Sequence, residues 1–430
     1  MSKFSLFLSL FFLMLIQGIH ATEATNISLF QPLPKHVTPE LSEKGDWQVG
    51  VQTIDIQIKD APTDFSGALA ERSLTLEVWY PTLAKEKGTV YQNETRTGKP
   101  FTIATDAMRD VPVAKESAPF PVVILSHGYT GYRTLMFYLA EHLASHGYVV
   151  AAIDHTDSTN ADVDSVKSPF TGFPSTLLNR SRDQQQTLNA VQNHSKFADV
   201  VDTKRAGLIG YSMGGYGAIN TVGGCFAFSD QVISRLANLQ DPQVIQSIKA
   251  QLNTCSAGNK ENITDSRWKA MMALAPWGGQ LRLFSQPALT KIRVPTLYVA
   301  GEHDDISGYQ GIRWLFDNTI GTSAYLLTIK NARHNIAAHP APTEAFENEL
   351  DLGHYLEPAW RTQALNHINQ HFALAMMNCH VKNQAAFCDY LKVTGNSDQA
   401  NKDGKTPEPW KGFDHRYALG LSMESHTKAE

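Results

Sequence analysis

The sequence predicts an α/β protein built on a mostly parallel, eight-stranded sheet with helices on both faces. Three observations carry that expectation. Six short runs are almost continuously apolar, which suits strands buried on both faces. Helix-like stretches separate several of them, and such alternation places helices on both sides of a sheet. Two alternating segments come first and read as an antiparallel pair opening the fold.

In that opening pair, "TIDIQIK" sets Ile54, Ile56 and Ile58 against Asp55, Gln57 and Lys59, and "LTLEVWYP" repeats the pattern with Leu74, Leu76, Val78 and Tyr80. Residues 83–119 are polar and broken by Gly and Pro, so they read as a surface loop. The six buried strands follow as "FPVVILSHG", "YVVAAIDH", "RAGLIGYS", "WKAMMALAPW", "VPTLYVAGEHD" and "AYLLTIKNARH". Between the first two, "TLMFYLAEHLASHG" puts Leu135, Leu139 and Leu143 on one helix face and stops at Gly147. Near the end, "WRTQALNHINQHF" does the same with Trp360, Ala364, Ile368 and Phe372. Residues 45–392 thus form one domain. Residues 222–268 interrupt it with two helical patterns, "QVISRLANL" and "PQVIQSIKAQL". This helical insert reads as a cap over a site or as a surface excursion. A cap would restrict the size of what enters. The tail 393–430 is polar, but its "WKGFDHRYALGL" is apolar enough to dock on the body.

The chain has 430 residues, with 37 basic against 42 acidic ones and a net charge of -5. No basic stripe points to nucleic acid. At the N-terminus, Lys3 precedes "FSLFLSLFFLMLI". That length suits a signal-peptide core and is short for a membrane span. Ala21 and Ala24 offer cleavage points, so residues 1–21 are expected to be a signal peptide, with a membrane anchor as the alternative. The mature chain then has no stable membrane span and is secreted or periplasmic. Four cysteines fit that compartment. Of the three possible pairings, Cys225–Cys255 with Cys379–Cys388 closes the shortest loops and is the one expected. No metal-ligand spacing occurs.

Residues 205–218 read "RAGLIGYSMGGYGA". A buried strand runs into a G-x-S-x-G turn and then into a helix, the context of a nucleophile elbow. Ser212 is therefore the expected nucleophile. A serine hydroxyl needs a base to take its proton. His334 follows the last predicted strand and fills that role, with His339 as rival. The acid comes from "GEHDDIS", where Glu302, Asp304 and Asp305 compete. Two backbone N–H groups should hold the oxyanion: Met213, after the nucleophile, and Tyr129 in "LSHGYTGYR". His127 in that loop reads as a buried brace.

With these residues in view, the chain resembles α/β-hydrolases of the dienelactone-hydrolase-like group that includes the platelet-activating-factor acetylhydrolases, through "SHGYTGYRTL…LASHGYVVAAIDHTDS". It also resembles bacterial cutinase-like polyester hydrolases. The shared motifs are Gly128–Gly131, Gly210–Gly215, Ala275-Pro276-Trp277 and the acid loop from Gly301 to Ile306. The likeness covers roughly residues 120–335. From the polyester hydrolases, Tyr129 and Trp277 are expected to bind substrate on its acyl side. The two resemblances place the acid differently. The acetylhydrolase position falls on Ala275, which cannot orient an imidazole. The polyester-hydrolase position falls on Asp304, three residues past Gly301, and Asp305 should point away. The resemblance implies an exported serine carboxylic-ester hydrolase working through an acyl-enzyme without cofactor or metal. Short acyl esters are its expected substrates, including acetylated phospholipid-like lipids. Cutinase-type polyester cleavage is the alternative, and a catalytically silent binding protein the non-enzymatic one.

Overall fold

A computed structural model describes residues 33–255, 264–398, 410–413 and 419–426. The apolar N-terminal run, its candidate cleavage points and residues 256–263 of the insert lie outside them. Among the described residues no helix is long and apolar enough to cross a membrane.

In chain order the elements are β1 (Gln48–Pro62), β2 (Leu69–Thr82), β3 (Val90–Glu94), β4 (Pro100–Ala104), β5 (Met108–Arg109), β6 (Phe120–Ser126), α1 (Phe137–Ser145), β7 (Val149–Asp154), α2 (Phe173–Asn193) and β8 (Val201–Tyr211). Then come α3 (Met213–Thr221), α4 (Asp230–Ala237), α5 (Pro242–Leu252), β9 (Trp268–Leu274), α6 (Gln286–Leu289), β10 (Thr296–Gly301), α7 (Tyr309–Asn318) and β11 (Ala324–Ile329). The chain closes with α8 (Glu349–Leu352), α9 (Thr362–Met376), α10 (Ala385–Cys388), β12 (Gly395–Asn396) and β13 (Leu421–His426).

All eight expected strands are present, lying in the order β11-β10-β9-β8-β6-β7-β2-β1. The six from β11 to β7 pair in parallel, and β2 joins β7 and β1 antiparallel. Burial on both faces explains their continuous apolar runs. On β6, Val123 and Leu125 enter the layer with α1 and α9, while Val122 and Ile124 enter the layer with α2 and α3.

The expectation of eight strands is too low. Among the described residues the sheet has eleven, because β5 extends one edge and β13 with β12 extends the other. Segment 83–119 is also not merely a surface loop. It contains β5 and the antiparallel hairpin β3–β4. There Tyr91, Phe101 and Ile103 bury themselves, with Tyr91 against Phe137 of α1. Their period-two spacing is spread over strands of only five residues, which hides it among polar neighbours. The polar tail likewise supplies a strand: Leu421 and Met423 of β13 are buried on β11, and Trp410 and Phe413 dock on the body as expected.

The bridges are Cys225–Cys255 and Cys379–Cys388. The first ties the end of α5 to the chain leaving α3. Around it the Cys255 N–H donates to the Phe226 carbonyl, and the Phe226 N–H to the Thr254 hydroxyl (2.8 Å). The insert's apolar residues Ile233, Ile245, Ile248 and Leu252 share a core with Leu177 and Leu178 of α2. Its α5 packs on α2, and the Gln251 amide reaches the Phe65 carbonyl between β1 and β2. The partner of this face is thus α2 and the β1–β2 turn. Replacing Cys225 and Cys255 together by serine is expected to cost about 3–4 kcal/mol, as for a loop of about 30 residues in the chain-entropy model. An unchanged urea midpoint would show that the bridge braces nothing.

Candidate active site

Strand β8 ends at Tyr211 and helix α3 begins at Met213, leaving Ser212 alone at the turn with φ 53°. A non-glycine residue there costs on the order of 1–3 kcal/mol and persists only where its surroundings over-determine it. Three hydrogen bonds do so. The Ser212 N–H donates to the Leu274 carbonyl (2.9 Å), and its own carbonyl accepts from the N–H groups of Tyr216 (3.0 Å) and Trp277 (3.1 Å). Gly210 and Gly214 permit the close crossing of strand and helix. A Cβ on the first would collide with the Gly214 carbonyl, and one on the second with that of Ser126.

The Ser212 hydroxyl meets His334 Nε2 at 3.0 Å. On the far side of the ring, His334 Nδ1 lies 2.9 and 3.0 Å from the two carboxylate oxygens of Asp304. Burial pushes the Asp304 carboxyl's pKa up. The hydrogen bond and charge of His334, with N–H donation from Ser307 and Ile306, outweigh it, and the pKa falls below the ordinary carboxylate value. Asp304 is therefore an anion at neutral pH. The His334 backbone carbonyl accepts from the Tyr211 hydroxyl (3.2 Å).

The rival residues are engaged elsewhere. His339 is fully buried, bonded through Nε2 to the Tyr132 hydroxyl (2.6 Å) and through Nδ1 to the Pro340 carbonyl. Asp305 pairs with Arg333 at the surface (2.8 Å), and Glu302 accepts from the Asn331 N–H. At Ala275, the acetylhydrolase position, the backbone carbonyl accepts from the Ser307 hydroxyl.

The loop after β6 passes directly over Ser212. A Cβ on Gly128 would stand 3.0 Å from Ser212 Cβ, a contact tight enough to push on the serine, and glycine avoids it. Among the described residues, the backbone N–H groups of Tyr129 and Met213 have no hydrogen-bond partner. Met213 opens α3, where such donors are free by geometry. Beneath the loop, His127 Nε2 accepts the His155 N–H, while burial keeps the His127 ring neutral. His155 bridges Asp183 (2.8 Å) and the Ser126 hydroxyl (2.8 Å), and Asp183 is paired with Arg72. This buried network braces the loop from below.

Trp277 and Tyr129 come to the same region. Both rings pack on Phe173, the first residue of α2, which is edge-on to each at centroid distances of 5.5 and 5.6 Å. Trp277 also leans on Tyr216, which stacks on Phe226 at 4.2 Å. Sequence reasoning missed Phe173 and Tyr216. The only sequence signal for Phe173 is "TGFPS", where Pro174 suits a helix start and makes Phe173 the residue at its mouth.

The parallel sheet, with Ser212 at the strand-to-helix turn after β8, is an α/β-hydrolase fold. Comparison with known proteins agrees and adds cutinase-like features. Residues 112–224 match the PETase family, described as PET hydrolase-like. Cutinase est2 of Thermobifida alba is 34% identical over 246 residues, spanning 57% of this chain and 55% of that protein. Bis(hydroxyethyl) terephthalate hydrolase of Streptomyces coelicolor is 30% identical over 108 residues, 25% of this chain and 30% of that protein. The chain thus spans about half the length, or less, of these curated relatives. A ferulic acid esterase structure from Streptomyces cinnamoneus superposes with a TM-score of 0.56 at 15% identity, over 92% of this chain and 98% of that one. The fold is shared with it across nearly the whole chain.

Proposed function

We propose that this chain is an exported serine carboxylic-ester hydrolase of cutinase-like type. The observation that carries the reading is the unbroken line from the Ser212 hydroxyl through His334 to Asp304. Ser212 Oγ attacks the ester carbonyl as its proton passes to His334 Nε2. Asp304 holds the Nδ1–H tautomer and stabilises the imidazolium. The Met213 and Tyr129 N–H groups take the oxyanion, in the way preorganised donors lower such barriers. The alcohol leaves with the proton from His334. Water then repeats the sequence on the acyl-enzyme and releases the acid.

The relatives and the position of the acid favour cutinase-like over acetylhydrolase-like chemistry, since Ala275 cannot serve as the acid. The complete constellation speaks against a silent binding protein. Export rests on the apolar N-terminal run and the two disulfides. With its apolar face on α2, the insert acts as a brace for the aromatic wall through Phe226 rather than as a lid.

The test is hydrolysis of p-nitrophenyl esters from acetate to laurate by the mature protein, with a soluble aliphatic polyester beside them. Turnover of the short esters and of the polyester is expected. A steep fall beyond a fixed chain length would reinstate the insert as a closed cap, because each extra buried methylene is worth about 0.8 kcal/mol. No turnover of any ester would remove the enzymatic reading.

A further inference from the structure

We infer that Phe173 is a specificity-determining residue which fills the acyl slot beside Ser212 and restricts the enzyme to slender aliphatic acyl groups. The inference rests on the ester-hydrolase reading above and gives it a substrate class.

The rings of Tyr129 and Trp277 both pack on the ring of Phe173. Each belongs to a segment anchored at the nucleophile. Tyr129 follows Gly128, which touches Ser212, and the Trp277 N–H donates to the Ser212 carbonyl. A planar acyl group bound to Ser212 would naturally lie between two such rings, since aromatic surfaces favour offset or edge-on neighbours at about 4.5–7 Å. Here that place is taken. Phe173 meets both rings near a right angle, 87° in each case, at 5.5 and 5.6 Å, the spacing such an acyl ring would itself adopt.

The plug is held by its backbone. Gly172, immediately before it, is wedged against the Asp157 carbonyl so closely that no Cβ would fit. The Gly172 carbonyl accepts from the Thr176 N–H (3.0 Å), which fixes the first turn of α2. Phe173 is partly buried on the core formed by α2, α3 and the insert. Its outer side is met by Phe170, 72% exposed, with centroids 6.3 Å apart. An aromatic acyl group therefore cannot enter by a swing of the backbone. It must displace the Phe173 ring itself. A flexible methylene chain can instead bend past the ring.

The experiment compares kcat/KM for p-nitrophenyl acetate, butyrate and benzoate in wild type, Phe173→Ala and Phe173→Leu. Wild type is expected to favour the aliphatic esters strongly over benzoate. Phe173→Ala should raise the benzoate-to-acetate ratio by about ten- to a hundredfold, the gain from seating one ring in an apolar slot. Phe173→Leu should fall between. The ratio cancels losses that strike all esters alike, and the leucine variant keeps most of the buried volume should the alanine variant fail to fold. Two results overturn the inference: a wild type that turns over benzoate as readily as acetate, or variants whose ratio does not rise while acetate is still cleaved. Failure of wild type to cleave any ester is a different result, and it would remove the enzymatic reading together with this inference.

Discussion

Alanine at position 212 is expected to abolish ester hydrolysis and labelling by a fluorophosphonate probe. The backbone contacts that hold residue 212 are made by its N–H and carbonyl, not by its side chain. The elbow, the His334–Asp304 pair and the free N–H groups of Met213 and Tyr129 should all survive the change. What is lost is the oxygen that, in the proposed mechanism, becomes bonded to the acyl carbon. Removing the nucleophile of such a constellation costs on the order of a millionfold in turnover, with the residue of rate left to the oxyanion donors and binding. Probe labelling is the decisive readout, because it reports the covalent step directly. Stoichiometric labelling of Ser212→Ala would place the nucleophile elsewhere.

Nearly as large an effect is expected at the acid. Asp304→Asn keeps the size and shape of the side chain that faces His334. It removes the charge that stabilises the imidazolium and presents an amide that favours the wrong ring tautomer. The expected loss is about four powers of ten in turnover. The adjacent Asp305→Asn removes only a half-exposed pair with Arg333. Exposed pairs of this kind are worth about 0–1 kcal/mol, so its turnover should stay within severalfold of wild type. The folded-state pKa of Asp304 lies below the ordinary value. The stabilisation from its ionised form is therefore present above the unfolded carboxylate pKa, near 4, and is lost as pH falls through the lowered folded value. Turnover of the two variants at neutral pH decides the matter. A collapse of Asp305→Asn beside a healthy Asp304→Asn would reverse the assignment.

Much of this arrangement can be read along the chain because the relevant signals are local. The strands β6 to β11 are buried on both faces, so each appears as a run of apolar residues with no alternation to misread. Ser212 announces itself by glycines two positions away on either side, which are needed where the strand and helix cross. Asp304 and Asp305 are adjacent, yet a turn of three residues from Gly301 separates them by direction, inward to His334 or outward to Arg333.

What stayed hidden depends on residues distant in sequence. The hairpin β3–β4 buries Tyr91 under α1, and its hydroxyl donates to Glu141, fifty positions away (2.6 Å). Nothing near Tyr91 marks that partner. The apolar face of the insert is plain at helical spacing, but spacing does not say whether α2 or the mouth of the site receives it. Phe173 is the sharpest case. An aromatic at the start of a helix looks like any core residue. Its importance arises only because two other rings, 44 positions before it and 104 after it in the chain, pack on it.

Strand β13 has a consequence for the order in which the molecule is made. Its residues, 421–426, lie almost 90 positions after His334. A ribosome therefore delivers Ser212, Asp304 and His334 well before the segment that covers β11. During that interval β11 is a bare edge, a row of unpaired N–H and carbonyl groups of the kind that recruits strands from other chains. Neighbouring chains at the same stage display the same row. Pairing of β13 with β11 at all six positions takes those groups out of reach, so a segment distant in sequence covers a strand edge that is made much earlier.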